Sequence, residues 1–132
     1  MTVALDAVNR DGAETIWTKA KMEKKRILFV CGRNRLRSPT AEHVFSSYPG
    51  IEVASAGITP DAEEPVSPEL IEWADLIFVM EKRHREKLSQ RFRGSLKNKK
   101  VVILDIPDEY AYMDPELIRL LRRKVSPLLP KR

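Results

Sequence analysis

From residue 26 onward, short apolar runs alternate with stretches of helical periodicity. The runs at 26–31, 51–55, 75–80 and 100–105 are rich in Val, Ile, Leu and Phe and predict strands, and the stretches 39–47, 68–74, 82–92 and 115–125 predict helices. Such alternation predicts a parallel sheet flanked by helices. The first, third and fourth runs are nearly continuous in apolar character, as expected of strands buried on both faces; the second is shorter and more polar and suits an edge. Three helices open with the same device, Ser38-Pro39, Ser67-Pro68 and Asp114-Pro115, a capping side chain followed by a proline whose missing N–H would be unpaired anyway. In the last helix Leu117, Ile118, Leu120, Leu121 and Val125 form an apolar stripe, with Arg119, Arg122 and Arg123 mainly on the solvated side. The stretch 59–66, with Asp61, Glu63 and Glu64 between Pro60 and Pro65, predicts an exposed acidic loop.

The chain's 132 residues favour a single domain, since ~100–200 residues is the usual domain size. Residues 26–132 carry the pattern, whereas 1–25 have few apolar positions and are expected to form a flexible extension. A helix at 13–20, around Ile16 and Trp17, is only weakly amphipathic, and Met22 is a candidate original start. No apolar run approaches the ~20 residues of a membrane helix, and the opening residues lack a secretory signal, so a cytoplasmic protein without a membrane partner is expected. The lone cysteine, Cys31, excludes an internal disulfide, and no Cys/His cluster at zinc spacing accompanies it. A formal charge of +5 favours anionic partners without choosing among them.

The segment Cys31-Gly32-Arg33-Asn34-Arg35-Leu36-Arg37-Ser38-Pro39 narrows that choice. It places a cysteine at the carboxyl end of the first strand, then a short loop, an arginine, a serine and a helix start. Ligands of open α/β sheets sit outside the carboxyl ends of strands, and a loop entering a helix N-terminus turns several N–H groups toward one anion, for which phosphate is the natural guest. Those N–H groups, the helix dipole and the nearby guanidinium groups favour the thiolate form, making Cys31 a candidate nucleophile. The planar fork of Arg37 can grip two phosphoryl oxygens. The Ser38 hydroxyl can bond the sulfur or cap the helix. Asn34 suits a left-handed backbone or side-chain bracing of the loop, and Gly32 allows close approach to a ligand.

The Cys-x5-Arg-Ser spacing resembles the signature loop of cysteine-dependent tyrosine phosphatases. Its setting, Leu28-Phe29-Val30-Cys31 with Arg37-Ser38-Pro39-Thr40-Ala41-Glu42, and the later matches Ser55-Ala56-Gly57 and 75–80, are similar to the low-molecular-weight branch over about 26–125. The resemblance implies a flavodoxin-like α/β sandwich with a four-stranded parallel sheet. It also implies a metal-free and cofactor-free double displacement: Cys31 attacks phosphorus, Arg37 and the loop (Gly32, Arg33, Asn34, Arg35, Leu36, with Ser38) hold the oxygens, and an aspartate protonates the leaving group. Counting back from the last helix, Asp108 falls where the family's acid stands, with Tyr110 and Tyr112 near its aromatic pair; Tyr110 is expected at the substrate. Asp105 is the rival, and Asp114 is read as a helix cap. The implied partner is a phosphorylated protein, foremost one carrying phosphotyrosine, or a small phosphomonoester, and a monomer or weak homodimer is expected.

Three departures from the family mark this chain. Leu36 replaces the usual second loop cysteine, Arg33 and Arg35 stand where small or apolar residues are commoner, and the stretch 58–74 is shortened, removing part of a cleft wall. A small-thiol-coupled arsenate reductase shares fold and nucleophile loop and remains an alternative; a non-catalytic phosphate-binding or nucleic-acid-binding module is a third. The absence of interleaved exposed aromatics and nucleic-acid motifs argues against nucleic acid. His43 and His84 are expected to be surface or packing residues, Trp73 and Phe92 core or rim, and the cations of 81–92 a solvated face.

Overall fold

The computed structural model describes residues 24–130. The candidate start at Met22, the weak helix at 13–20 and most of the expected extension lie outside the described residues. Four strands, β1 (Lys25–Cys31), β2 (Ile51–Gly57), β3 (Leu76–Val79) and β4 (Lys100–Ile103), form one sheet in the order β2-β1-β3-β4. Every pairing is parallel. The helices are α1 (Arg37–Phe45), α2 (Pro68–Trp73), α3 (Lys82–Arg91), α4 (Arg93–Leu96) and α5 (Pro115–Val125), followed by a 3-10 turn at Ser126–Leu128. This is the flavodoxin-like α/β architecture, and no helix among the described residues is long and apolar enough to cross a membrane.

Alternation along β1 builds both halves of the core. Ile27, Phe29 and Cys31 face one side, where Ala41 and Phe45 of α1 and Leu117, Leu121 and Val125 of α5 cover them. Leu28 and Val30 face the other, against Ile71 of α2 and Leu88 of α3. Phe29 stacks between Phe45 and Phe78, with ring centroids 5.8 and 5.4 Å away. Burying one such ring contributes roughly 1.5–3 kcal/mol, so the central strand is anchored by its own side chains.

Two expectations change. The run 100–105 is not a central strand: β4 ends at Ile103 and occupies the second edge of the sheet, its residues exposed or half-buried. An apolar run at a sheet edge and an apolar run between two strands look alike in sequence, and only the segments that pack beside them tell the two apart. At the second helix start, Ser67 accepts from Leu70 N–H at 3.1 Å, and at the last Asp114 accepts from Glu116 N–H at 2.9 Å, both as expected of caps. Ser38, by contrast, does not cap α1, which begins at Arg37 with Leu36 as its N-cap. Its hydroxyl is used elsewhere.

Because all strands run parallel, their carboxyl ends share one edge: Cys31 pairs in register with Gly57, Val30 with Val79, and Val79 with Ile103. Whatever follows the strand ends Cys31, Gly57, Val79 and Ile103 meets there.

Candidate active site

Loop 32–36 leaves β1 and is held from behind by the chain that follows β2. Ile58, Thr59 and Glu63 donate their N–H groups to the carbonyls of Cys31, Gly32 and Arg33 at 2.9, 3.0 and 3.1 Å. In a trans peptide the next N–H points opposite its carbonyl, so this support turns the N–H groups of Gly32, Arg33 and Asn34 to the far side. The acidic stretch 59–66 is therefore a buttress of the loop. Gly57 is what lets it come so close: a Cβ there would lie 2.5 Å from Ala62 Cβ and 2.7 Å from the Gly32 carbonyl oxygen. Asn34 sits at φ 60, the left-handed conformation its side chain tolerates.

Beneath the loop runs a buried polar chain. The Cys31 Sγ and Ser38 Oγ are 2.8 Å apart, Asn34 Nδ2 donates to Ser38 Oγ at 3.0 Å and to Ser55 Oγ at 2.9 Å, and Ser55 donates to Glu42. With Asn34 on one lone pair of the Ser38 oxygen, the hydroxyl proton has two acceptors, the sulfur and the Ala56 carbonyl at 3.5 Å; a thiolate at Cys31 can only accept, and in that state the proton points at sulfur. Ser38→Ala is accordingly expected to lower kcat by roughly 10- to 100-fold, the value of a hydrogen bond to a charged group. On the double displacement that the resemblance implies, the loss should fall on hydrolysis of the intermediate, seen as a pre-steady-state burst of leaving group; an unchanged kcat would show that the hydroxyl only packs.

A cavity of about 380 Å³ opens above the loop, lined by Cys31, Gly32, Arg33, Arg35, Leu36, Arg37, Thr59, Arg83 and Asp108. That volume suits a small ligand. Arg37 is 3% exposed. Its Nη1 donates to Glu81 at 2.5 Å and to the Ile106 carbonyl at 2.7 Å, and its Nε lies 3.8 Å from Asp108 Oδ1. Arg83 also bonds Glu81, at 2.9 Å. That bond first, and Arg37 after it, outweigh partial burial and hold the Glu81 carboxyl down to about 2, so it is a fixed anion beneath the cradle. At the rim Arg33 lies 3.9 Å from Asp61 and Arg35 3.6 Å from Glu63, loose pairs of exposed side chains. Among the described residues no group of three or more His, Cys, Asp or Glu is placed to hold a metal ion.

Of the residues singled out in the sequence, Cys31, Gly32, Arg33, Arg35, Leu36, Arg37 and Asp108 meet at this cavity. Asn34 and Ser38 stand behind the loop and brace it. Tyr110 is not at the cavity; it is half-buried against the core cluster that contains Phe29, while Tyr112 is 50% exposed. Asp105, at φ 60, is exposed beside Lys124, which bonds the Leu104 carbonyl, and does not line the cavity either. Three residues were overlooked. Arg83, assigned to a solvated face, lines the cavity, Thr59 completes its wall, and Glu81 grips Arg37. The signal was there: each follows the carboxyl end of a parallel strand.

The model of the family described as "Low molecular weight phosphotyrosine protein phosphatase" matches residues 26–74. A curated protein-arginine-phosphatase of Bacillus subtilis is 32% identical over 93 residues, covering 50% of this chain and 62% of that protein. Among solved structures, Vibrio vulnificus Wzb in complex with benzylphosphonate superposes with a TM-score of 0.66 at 26% identity, covering 80% of this chain and 97% of that one. A cysteine-to-serine mutant of the YwlE arginine phosphatase, with a phosphorylated active site serine, gives a TM-score of 0.60 at 26% identity, covering 78% and 95%.

Proposed function

We propose that this chain is a member of the low molecular weight phosphotyrosine protein phosphatase family, whose model matches residues 26–74, and that it hydrolyses phosphorylated proteins through a phosphocysteine intermediate. One observation carries the reading: Cys31, Arg37 and Asp108 open onto a single cavity floored by a loop whose amides are turned away from their support. The phosphorylated active site serine of the YwlE mutant supports a covalent step at this position.

In the first step the Cys31 thiolate attacks phosphorus in line, forming the S–P bond as the bond to the leaving group breaks. Asp108 delivers its proton to the departing atom. In the second, Asp108 as carboxylate takes a proton from water, the hydroxide attacks phosphorus, and the S–P bond breaks to return thiolate and inorganic phosphate. Loop amides and the Arg37 fork hold the equatorial oxygens in both steps, so catalysis is mainly positioning and charge stabilisation. Asp108 is favoured over Asp105 because it lines the cavity and its carboxylate lies 3.8 Å from Arg37 Nε.

Phosphotyrosine is the first substrate reading. The protein-arginine-phosphatase relative supports a second, phosphoarginine. Because a lone nucleophilic thiol works where it stays reduced, we assign the protein to the cytoplasm, in a monomeric or weakly dimeric state.

The test is turnover of p-nitrophenyl phosphate, then of phosphotyrosine and phosphoarginine peptides, with a chelator present. Thiol-dependent arsenate reduction without phosphatase turnover would replace this reading with arsenate chemistry, and tight phosphate binding with neither activity would leave a binding module. Asp108→Asn is expected to slow a poor leaving group such as phenyl phosphate by roughly 100-fold or more. It should slow p-nitrophenyl phosphate, whose leaving group needs little protonation, much less. Equal losses on both would remove Asp108 from the role of acid.

A further inference from the structure

His84 is the third residue of α3 and is 1% exposed. Its Nδ1 accepts the Glu81 backbone N–H at 3.1 Å, and the His84 backbone N–H donates to the Glu81 backbone carbonyl at 3.0 Å, so two bonds tie His84 to the residue that opens α3. Accepting at Nδ1 leaves the ring proton on Nε2. That nitrogen is buried and has no hydrogen-bond partner among the described residues. It lies under the anion loop, 3.9 Å from where a Cβ on Gly32 would sit.

A buried, unpaired N–H is a cost that an apolar side chain at the same place would avoid. What the imidazole provides in return is contact with both halves of the site. One ring nitrogen holds the backbone of Glu81, whose carboxylate grips Arg37 at 2.5 Å. The other faces Gly32, the first loop residue after Cys31, with room for no more than a methyl group between them. We propose that His84 is a positioning residue for the anion cradle, seating Glu81, and through it Arg37, from Nδ1 and backing the Gly32 end of the loop from Nε2.

The charged groups around the ring agree with that task. Burial first, and then Arg37 and Arg83, outweigh the opposing pull of Glu81 and push the imidazole down to about 4, with Lys87 adding to the effect. Near neutrality the ring is uncharged, and Nδ1 stays free to accept.

The inference rests on loop 32–36 being an anion cradle, as the proposed function requires, but its test does not need turnover. The affinity of inorganic phosphate, measured by calorimetry, is compared in the wild type, His84→Ala and His84→Asn, with thermal melting as the check on folding. Asparagine's Oδ1 falls close to the place of Nδ1 and restores an acceptor for Glu81 N–H. His84→Ala is expected to weaken phosphate binding by roughly tenfold or more, the loss of about one hydrogen bond's worth of alignment. His84→Asn should recover part of it. If alanine disrupts the fold, His84→Met, of similar length and without the acceptor geometry, takes its place. Unchanged phosphate affinity in a folded His84→Ala or His84→Met protein would overturn the proposal, as would an asparagine variant no better than these. If the wild type binds phosphate but hydrolyses nothing, the phosphatase reading fails while this test remains decisive.

Discussion

Cys31→Ser is expected to abolish turnover, with p-nitrophenyl phosphate hydrolysis falling by roughly four orders of magnitude or more. The reason is local. A serine alkoxide is harder to form and a far poorer leaving group than a thiolate, so a serine that took up the phosphoryl group, as in the YwlE mutant, would hold it, and no base is hydrogen-bonded to position 31 among the described residues to help it turn over. Its contact at 2.8 Å is the Ser38 hydroxyl. The nearby imidazole of His84 has Nδ1 committed to the Glu81 N–H and carries its proton on Nε2. The cradle itself is untouched by the change, so inorganic phosphate should bind the variant about as tightly as the wild type, or more tightly for want of a sulfur anion. Steady-state kinetics and phosphate calorimetry on the same preparation check both halves. Retained turnover would mean that the chemistry does not pass through this sulfur, and lost phosphate binding would mean that the loop needs the sulfur to keep its shape.

Arg37→Lys, a change that keeps the charge, is expected to lower kcat/KM by roughly three orders of magnitude, the scale set by removing a guanidinium clamp from a phosphoryl transition state. An ammonium group offers one point of charge where the guanidinium offers a planar fork. Arg37 also holds two other parts in place. It bonds Glu81 at 2.5 Å and the Ile106 carbonyl at 2.7 Å, and Ile106 begins the loop that brings Asp108 to the cavity. Lysine can serve only some of these partners at once. Glu81 would stay ionised, because its bond to Arg83, the largest influence holding its carboxyl down, remains. The floor of the cavity would then lean negative and repel the incoming phosphate. Weaker phosphate binding together with a lower kcat is thus the expected pattern. A fall in kcat alone would show that the arginine acts in the transition state without seating the ground-state anion, and normal values of both would remove it from the site.

The strand pattern was legible because each apolar run is a local property: alternation along 27–31 already assigns Phe29 and Val30 to opposite faces, as the two core clusters place them. The caps at Ser67 and Asp114 were legible for the same reason, since a cap bonds within its own helix turn. Ser38 carries the same Ser-Pro signal and does something else. Its oxygen lies beside Cys31, seven positions earlier, and local propensity cannot weigh that partner against a backbone N–H. Arg83 was misjudged by a similar limit. On a helix that also carries Lys82, Arg85 and Lys87, composition points to solvent, and only the adjacency of β3 to β1 turns position 83 toward the cavity.

The amino-acid sequence alone determined the parallel α/β plan and set Cys31, a tight turn, Arg37 and a helix start in one continuous segment, because all of these are local properties of the chain. The tertiary structure decided which carboxylate faces that loop, which cations line it, and that Glu81 and His84 stand beneath it. Those choices depend on which strand ends become neighbours, and strand order arises from packing between segments far apart in the chain rather than from the propensities of any one of them.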